Sequence, residues 1–154
     1  MNIEFRKYQP LPNEIKEMMR MWNDILIDGV AFPGLELYND ESFRDMLIHQ
    51  TAVTCMLVDE KMVGYYILHP NNIGRCAHVA NASYILDKSV RGKHLGKYLV
   101  KNSIEEAKAC QFKGMQFNAV VASNHAALHI YQELGFQHIG TIPQGFLFKK
   151  RTIL

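Results

Sequence analysis

Between residues 76 and 122 the apolar pattern changes period twice. Residues 76–87, CAHVANASYILD, form a long run of strand character. Residues 95–112, LGKYLVKNSIEEAKACQF, carry Leu95, Leu99, Ile104 and Ala107 at helical spacing. Gly114 closes that helix, and residues 115–122, MQFNAVVA, look like a second buried strand. Strand, helix and strand in so short a span make a βαβ crossover, which sets two strands parallel and lays the helix over one face of their sheet. Ligands of such sheets collect beyond the carboxyl ends of the strands. In this chain that place is held by SVRGKHLGKY, residues 89–98.

The rest of the chain adds elements to this unit. Residues 3–8 read as a short first strand, stopped by Pro10 and Pro12. With Asn13 as N-cap, Ile15, Met18, Met19, Trp22, Ile25 and Leu26 recur at helical spacing until Gly29 and Phe32-Pro33-Gly34 interrupt them. Residues 40–50 read as a second short helix. Residues 52–58 and 62–68 form a hairpin around Asp59-Glu60-Lys61, and residues 70–74 form a second turn. Residues 124–134 make a last helix ended by Gly135, and residues 136–142 and 146–150 two final strands. The order β-α-α-β-β-β-α-β-α-β-β describes an α/β (α+β) sandwich with a mixed sheet.

At 154 residues the chain suits one domain, 1–154, and its 48% hydrophobic and 21% charged residues argue against disorder. A formal charge of +2 is too small to imply a nucleic-acid or membrane-surface partner. Cys55, Cys76 and Cys110 form no CxxC pair, so neither a disulfide framework nor a metal site is expected, and Cys76 and Cys110 read as buried small hydrophobes. The first residues carry charges and no apolar h-region, which leads to the expectation of a cytoplasmic protein.

The loop itself suggests an anion site. A helix N-terminus leaves its first N–H groups unpaired and carries partial positive charge, and a glycine-containing lead-in lets phosphate oxygens approach. Gly92 and Gly96 remove side chains, and Arg91, Lys93 and Lys97 add charge. Competing motifs fail on spacing: residues 92–98 are one residue short of a P-loop and lack its Ser or Thr, and GxGxxG does not occur. An ordinary basic loop capping a helix fits the same stretch.

Residues 123–136, SNHAALHIYQELGF, open a helix at Asn124 and bring Tyr131 to the same face two turns later. Together, strand–RxxxxG–helix–strand–NxxAxxxYxxLGF resembles the GCN5-related N-acetyltransferase (GNAT) family over nearly the whole chain. The family's loop pattern is Arg or Gln, two residues, Gly, one residue, Gly or Ala; Arg91 and Gly96 fit it, and His94 replaces the first glycine. The resemblance implies a mixed, mostly antiparallel, twisted sheet of about seven strands flanked by about four helices, with a splayed central strand pair. It implies acetyl-CoA as cosubstrate, with pantetheine on Tyr84, Ile85 and Leu86 and the Leu86 N–H as oxyanion donor. Pyrophosphate would lie on Arg91, Gly92, Lys93, His94, Leu95, Gly96 and Lys97. Asn124 would bond the coenzyme arm, or serve only as helix cap. Tyr131 would protonate the leaving thiolate, or simply pack on the core.

No carboxylate stands where many family members carry a general base. Those strands offer His78, Asn81 and Asn118 instead. His78 fits either a base or a core histidine bonded to backbone, and the two asparagines fit either a mutually satisfied buried pair or an acceptor site. The stretch PNNIGRCAHVANA with MQFNAVV resembles a narrower branch that includes yeast-type enzymes acetylating proline analogues such as azetidine-2-carboxylate. That resemblance implies His78, Asn81 and Asn118 as acceptor-binding positions. The expected activity is direct acetyl transfer to a small primary or secondary amine, an amino acid or an analogue of one. Peptide or protein N-terminal acetylation and a non-catalytic CoA-binding module stay open, as does a homodimer.

Overall fold

The computed structural model describes residues 1–148. Among these, five strands pair in the order β1-β2-β3-β4-β5: β1 Ile3–Lys7, β2 Ala52–Val58, β3 Lys61–Pro70, β4 Val79–Leu86 and β5 Gly114–Met115. The first four are antiparallel neighbours and β5 runs parallel to β4, as the crossover demands. Four α-helices accompany them: α1 Pro12–Asp28, α2 Asp40–Ile48, α3 Gly96–Ala109 and α4 His125–Glu133.

Period-two alternation sends side chains to two helical layers. Val53, Cys55, Tyr65, Ile67 and Ile85 pack beneath α1 and α2 with Ile15, Met18, Trp22, Phe43 and Leu47. Met56, Tyr66, Leu68, Ala80 and Ala82 pack on the other face against Leu95 and, on α3, Leu99 and Ala107. Burial on both faces explains why the central strands are apolar almost throughout. The β2–β3 turn places Asp59 and Glu60 at φ 49° and 69°, the mirror-image turn that suits strand twist.

Several expectations need correction. Seven strands are reduced to five among the described residues. The strand expected over 115–122 pairs only at Gly114–Met115, and residues 136–142 and 146–148 form none; residues 149–150 of the last lie outside the described residues. Alternating apolar residues without a neighbouring backbone to pair with make no ladder. Helix α1 is capped at Leu11 without a side-chain bond, because Pro12 takes the first turn and Asn13 falls inside it. Helix α3 stops at Ala109, and Gln111, at φ 71°, makes the turn assigned to Gly114. Cys76 and Cys110 are exposed, and only Cys55 is buried.

The pairing of β4 with β5 is brief. Val79 and Ala80 face Gly114 and Met115, and the Gln116 N–H donates to the Ala80 carbonyl at 2.8 Å. Beyond that point the two segments part. The C-terminal half of β4 therefore has β3 on one side and an open edge on the other.

Candidate active site

The open edge can be read from hydrogen-bond parity. Val79 O accepts from Asn71 N and Asp87 N donates to Val63 O, both at 2.8 Å, so odd-numbered peptide groups of this strand face β3. His78 O and Ala80 O accept from Lys113 and Gln116, so even-numbered groups face the β5 side. Past the vertex, the backbone groups of Tyr84 and Leu86 point at the opening. Those of Ile85 face β3, and its side chain is buried under α1. The opening thus presents a strand edge that an extended chain can pair with.

A 3₁₀ turn, Lys88–Val90, leads from the edge into the anion loop. No N–H from Gly92 through Lys97 donates to a protein acceptor among the described residues. Leu95, at the N-cap position, offers no side-chain oxygen, and the first turn of α3 holds no acidic residue. A helix N-terminus left this way is built to receive an anion. Gly92 has φ 81° and His94 has φ 60°, so both turn the chain through the left-handed region. Leu95 is buried and anchors the loop against the core. Arg91 pairs with Asp28 at 3.3 Å and Lys97 with Glu133 at 2.9 Å, so these cations also tether the loop to α1 and α4.

Just before the loop, Asp87 holds the strand end in place. Its carboxylate accepts from Arg20 Nη2 at 3.2 Å and from the Ser89 hydroxyl at 2.5 Å. Burial alone would raise its pKa, but Ser89 and Arg20 together hold it below the usual carboxylate range.

An aromatic cluster lines the wall of the opening. Tyr131 of α4 stacks on Phe117 with ring centroids 4.4 Å apart, lies 6.4 Å from Tyr84 and 5.6 Å from Phe136. Burial pushes the Tyr131 phenol up to about 12, so it keeps its proton through neutral pH. The Tyr84 side chain turns inward and bonds Ser103 Oγ at 2.6 Å, leaving its backbone for the edge. Asn124 is the N-cap of α4, its Oδ1 accepting from Ala127 N at 3.3 Å.

The two strand asparagines meet through a third. Asn71 Oδ1 accepts from Asn81 Nδ2 at 3.2 Å and from Asn118 Nδ2 at 2.6 Å. Asn81 Oδ1 takes the Ala82 N–H at 2.8 Å, and Asn118 Oδ1 takes Gln116 Nε2 at 3.0 Å. The cluster closes the vertex of the splay. His78 is exposed at the start of β4 and its side chain makes no hydrogen bond among the described residues, which removes the core-histidine reading. Asn71 and Phe117 were absent from the expected site. Asn71 lies in a turn, and Phe117 in a stretch where its apolar character signals only burial.

Comparison with known proteins follows the same lines. The family model for the acetyltransferase (GNAT) family matches residues 15–136. The chain is 30% identical over 91 residues to Protein SPT10 of Saccharomyces cerevisiae, covering 59% of this chain and 14% of that protein. It is 31% identical over 81 residues to N-acetyltransferase aca1 of Schizosaccharomyces pombe, covering 53% and 39%. The chain thus spans well under half the length of these curated relatives. Among solved structures, a GCN5-related N-acetyltransferase from Kribbella flavida superposes with TM-score 0.84 at 29% identity, covering 94% of this chain and 88% of that one. A phosphinothricin acetyltransferase from Sinorhizobium meliloti in complex with AcCoA gives TM-score 0.80 at 16% identity, covering 89% and 76%, a likeness of fold.

Proposed function

The chain belongs to the acetyltransferase (GNAT) family, whose cosubstrate is acetyl-CoA, and from that we propose that it moves the acetyl group directly onto the neutral amine of a small acceptor within a ternary complex. One observation carries the reading. The open edge of β4 is joined by one 3₁₀ turn, Lys88–Val90, to the run of unpaired N–H groups from Gly92 to Lys97, and the Tyr131 ring packs near that of Tyr84 on the same strand. That path fits an extended amide-bearing arm ending in a pyrophosphate.

In this reading the Tyr84 and Leu86 backbone pairs with the pantetheine arm, and the loop N–H groups take the pyrophosphate. The Leu86 N–H faces the thioester oxygen as the amine attacks and negative charge gathers there. One such fixed donor is commonly worth about 3 kcal/mol in the transition state. Tyr131, still protonated, supplies the proton to the sulfur as the thioester bond breaks. The amine loses its proton to water. The carboxylates of Asp87 and Glu106 are engaged by Arg20 and Ser89 and by Thr54 and Tyr66. Asn81, Asn118 and His78 flank the acceptor side, with an amino acid or an analogue as the acceptor class.

A second reading, acetylation of peptide N-termini, is favoured by one feature. Leu35 and Leu37, on the α1–α2 loop, stand 94% and 54% exposed, an apolar surface that a peptide chain could cover. Acetyl-CoA offered to pooled amines, amino acids and short peptides, with products read by mass spectrometry, tests both. Acetylated free amines support the proposal, and acetylated peptides alone would replace it with the second reading. In a thermal-shift series CoA and acetyl-CoA should raise the melting temperature while ATP and NAD do not; no shift with any CoA would sink both.

A further inference from the structure

We propose that Gly64 is a positioning residue for the Leu86 N–H, and this rests on the reading of that N–H as the oxyanion donor. Gly64 stands directly opposite Leu86 in the β3–β4 ladder. The flanking pair, Val63 and Asp87, shares a backbone hydrogen bond, so Gly64 and Leu86 form the intervening close pair, where strands and side chains approach most nearly.

A Cβ at residue 64 would lie 2.5 Å from the Ile85 carbonyl oxygen, 3.3 Å from Leu86 Cα and 3.1 Å from Leu86 Cδ1. The two backbone atoms cannot rotate away as a side chain could. Gly64 is not among the positive-φ residues, so close approach rather than conformational freedom requires glycine here.

The consequence follows from peptide planarity. The Ile85 carbonyl and the Leu86 N–H belong to one rigid trans unit and point in opposite directions. Pressing the oxygen away from β3 tilts the N–H by the same rotation, on the side that faces the open edge. Asp87 N–H, held by Val63 O at 2.8 Å, pins the next peptide, so relief concentrates at the Ile85–Leu86 unit. A register irregularity between Met56 and Leu57 lies across β3 from the same place, Met56 being the β2 partner of Gly64.

The test reads the carbonyl itself. Acetyl-CoA carrying a carbon-13 label at the thioester carbonyl is bound to the whole chain, and its infrared band is compared with that of the same labelled acetyl-CoA free in solution. Wild type should show a red-shifted band. Gly64→Ala should lose most of that shift while its affinity for CoA, which has no thioester carbonyl, stays within twofold. Ile67→Val, a core change on the same strand away from Leu86, should lower stability and keep the shift. An unaltered band in Gly64→Ala, or CoA affinity lost along with the shift, would overturn the inference. If wild type binds acetyl-CoA without a red shift, the Leu86 reading fails first, which is a distinct result. Should the single variant not fold, Gly64→Ala/Leu86→Ala against Leu86→Ala alone removes the Leu86 Cδ1 crowding and leaves the Ile85 clash to be read the same way.

Discussion

His94 sits in the anion loop at φ 60°, where a glycine would meet no steric objection. An L-residue in this region costs roughly 1–2 kcal/mol, and histidine is among the residues found there more often than most. The side chain is exposed, so replacement leaves no cavity. His94→Gly should therefore keep or improve acetyl-CoA affinity in titration calorimetry, with stability changed by no more than about 1 kcal/mol because chain entropy offsets relieved strain. A clear loss of affinity would show that the imidazole itself contributes. Gly96 is different, since it has no positive φ and opens α3 in helical conformation. A Cβ there would come 3.1 Å from Ile130 Cδ1 of α4. That methyl can yield to alanine but not to a branched side chain, which would wedge α3 from α4 beside the phosphate site. Gly96→Val should weaken acetyl-CoA at least tenfold, and Gly96→Ala by far less.

At the scale of elements, α1 and the β4–α3 connection are strapped together. Arg20 pairs with Asp87 at 3.2 Å, Lys88 with Asp24 at 3.8 Å, and Arg91 with Asp28 at 3.3 Å. The two outer pairs are exposed and are worth little singly. The Asp87 carboxylate is only 12% exposed, so its pairing with Arg20 matters more. Arg20→Gln should cost about 1–2 kcal/mol at pH 7, measured by urea unfolding. The sign with pH is fixed by Asp87. Its folded pKa is lowered, so the stability from pairing is present above the ordinary aspartate value of about 3.9 and fades as pH falls through the lower folded value. The gap between wild type and variant should shrink in that acid window, and a constant gap would remove Asp87 from the account. This strap was illegible in the sequence because charges on exposed helix faces look alike until the fold brings two elements together. Local signals fared better: the β2–β3 hairpin and the Asn124–Gly135 boundaries of α4 were readable from alternation and caps. The final strands were misread because their apolar residues found neither a buried face nor a paired neighbour: Ile139, Ile142 and Leu147 stand exposed. The loop of unpaired N–H groups stood out in the sequence through its glycines and charges. The Gly64 contact was not, since one strand glycine carries no address for what it approaches.

Across the whole molecule, phenols are built into both layers, and they set its alkaline limit. Tyr65 is fully buried beneath α1 with its hydroxyl donating to Met18 O at 2.8 Å, and burial holds it well above the ordinary phenol value. Burial raises Tyr66 and Tyr84 on the opposite face as well, Tyr131 to about 12, and the Cys55 thiol to about 12. In the unfolded chain the phenols release protons near 10 and the thiol near 8.5. Above those values the unfolded state binds fewer protons than the folded one, so stability falls as pH rises until the folded groups titrate. Each group removes about 1.4 kcal/mol per pH unit in its window. With total stability typically ~5–15 kcal/mol, several acting together should unfold the domain between about pH 10 and 12. Circular dichroism and the phenolate absorption of these four tyrosines should then change in one cooperative step. Titration of Tyr65, Tyr66, Tyr84 or Tyr131 near pH 10 while the fold persists would refute the account. Tyr65→Phe isolates one member, because it loses a hydrogen bond worth about 1 kcal/mol at pH 7 but cannot ionise. Its stability should lie below wild type at neutral pH and cross above it by about pH 11, where the missing phenol no longer draws the chain toward the unfolded state.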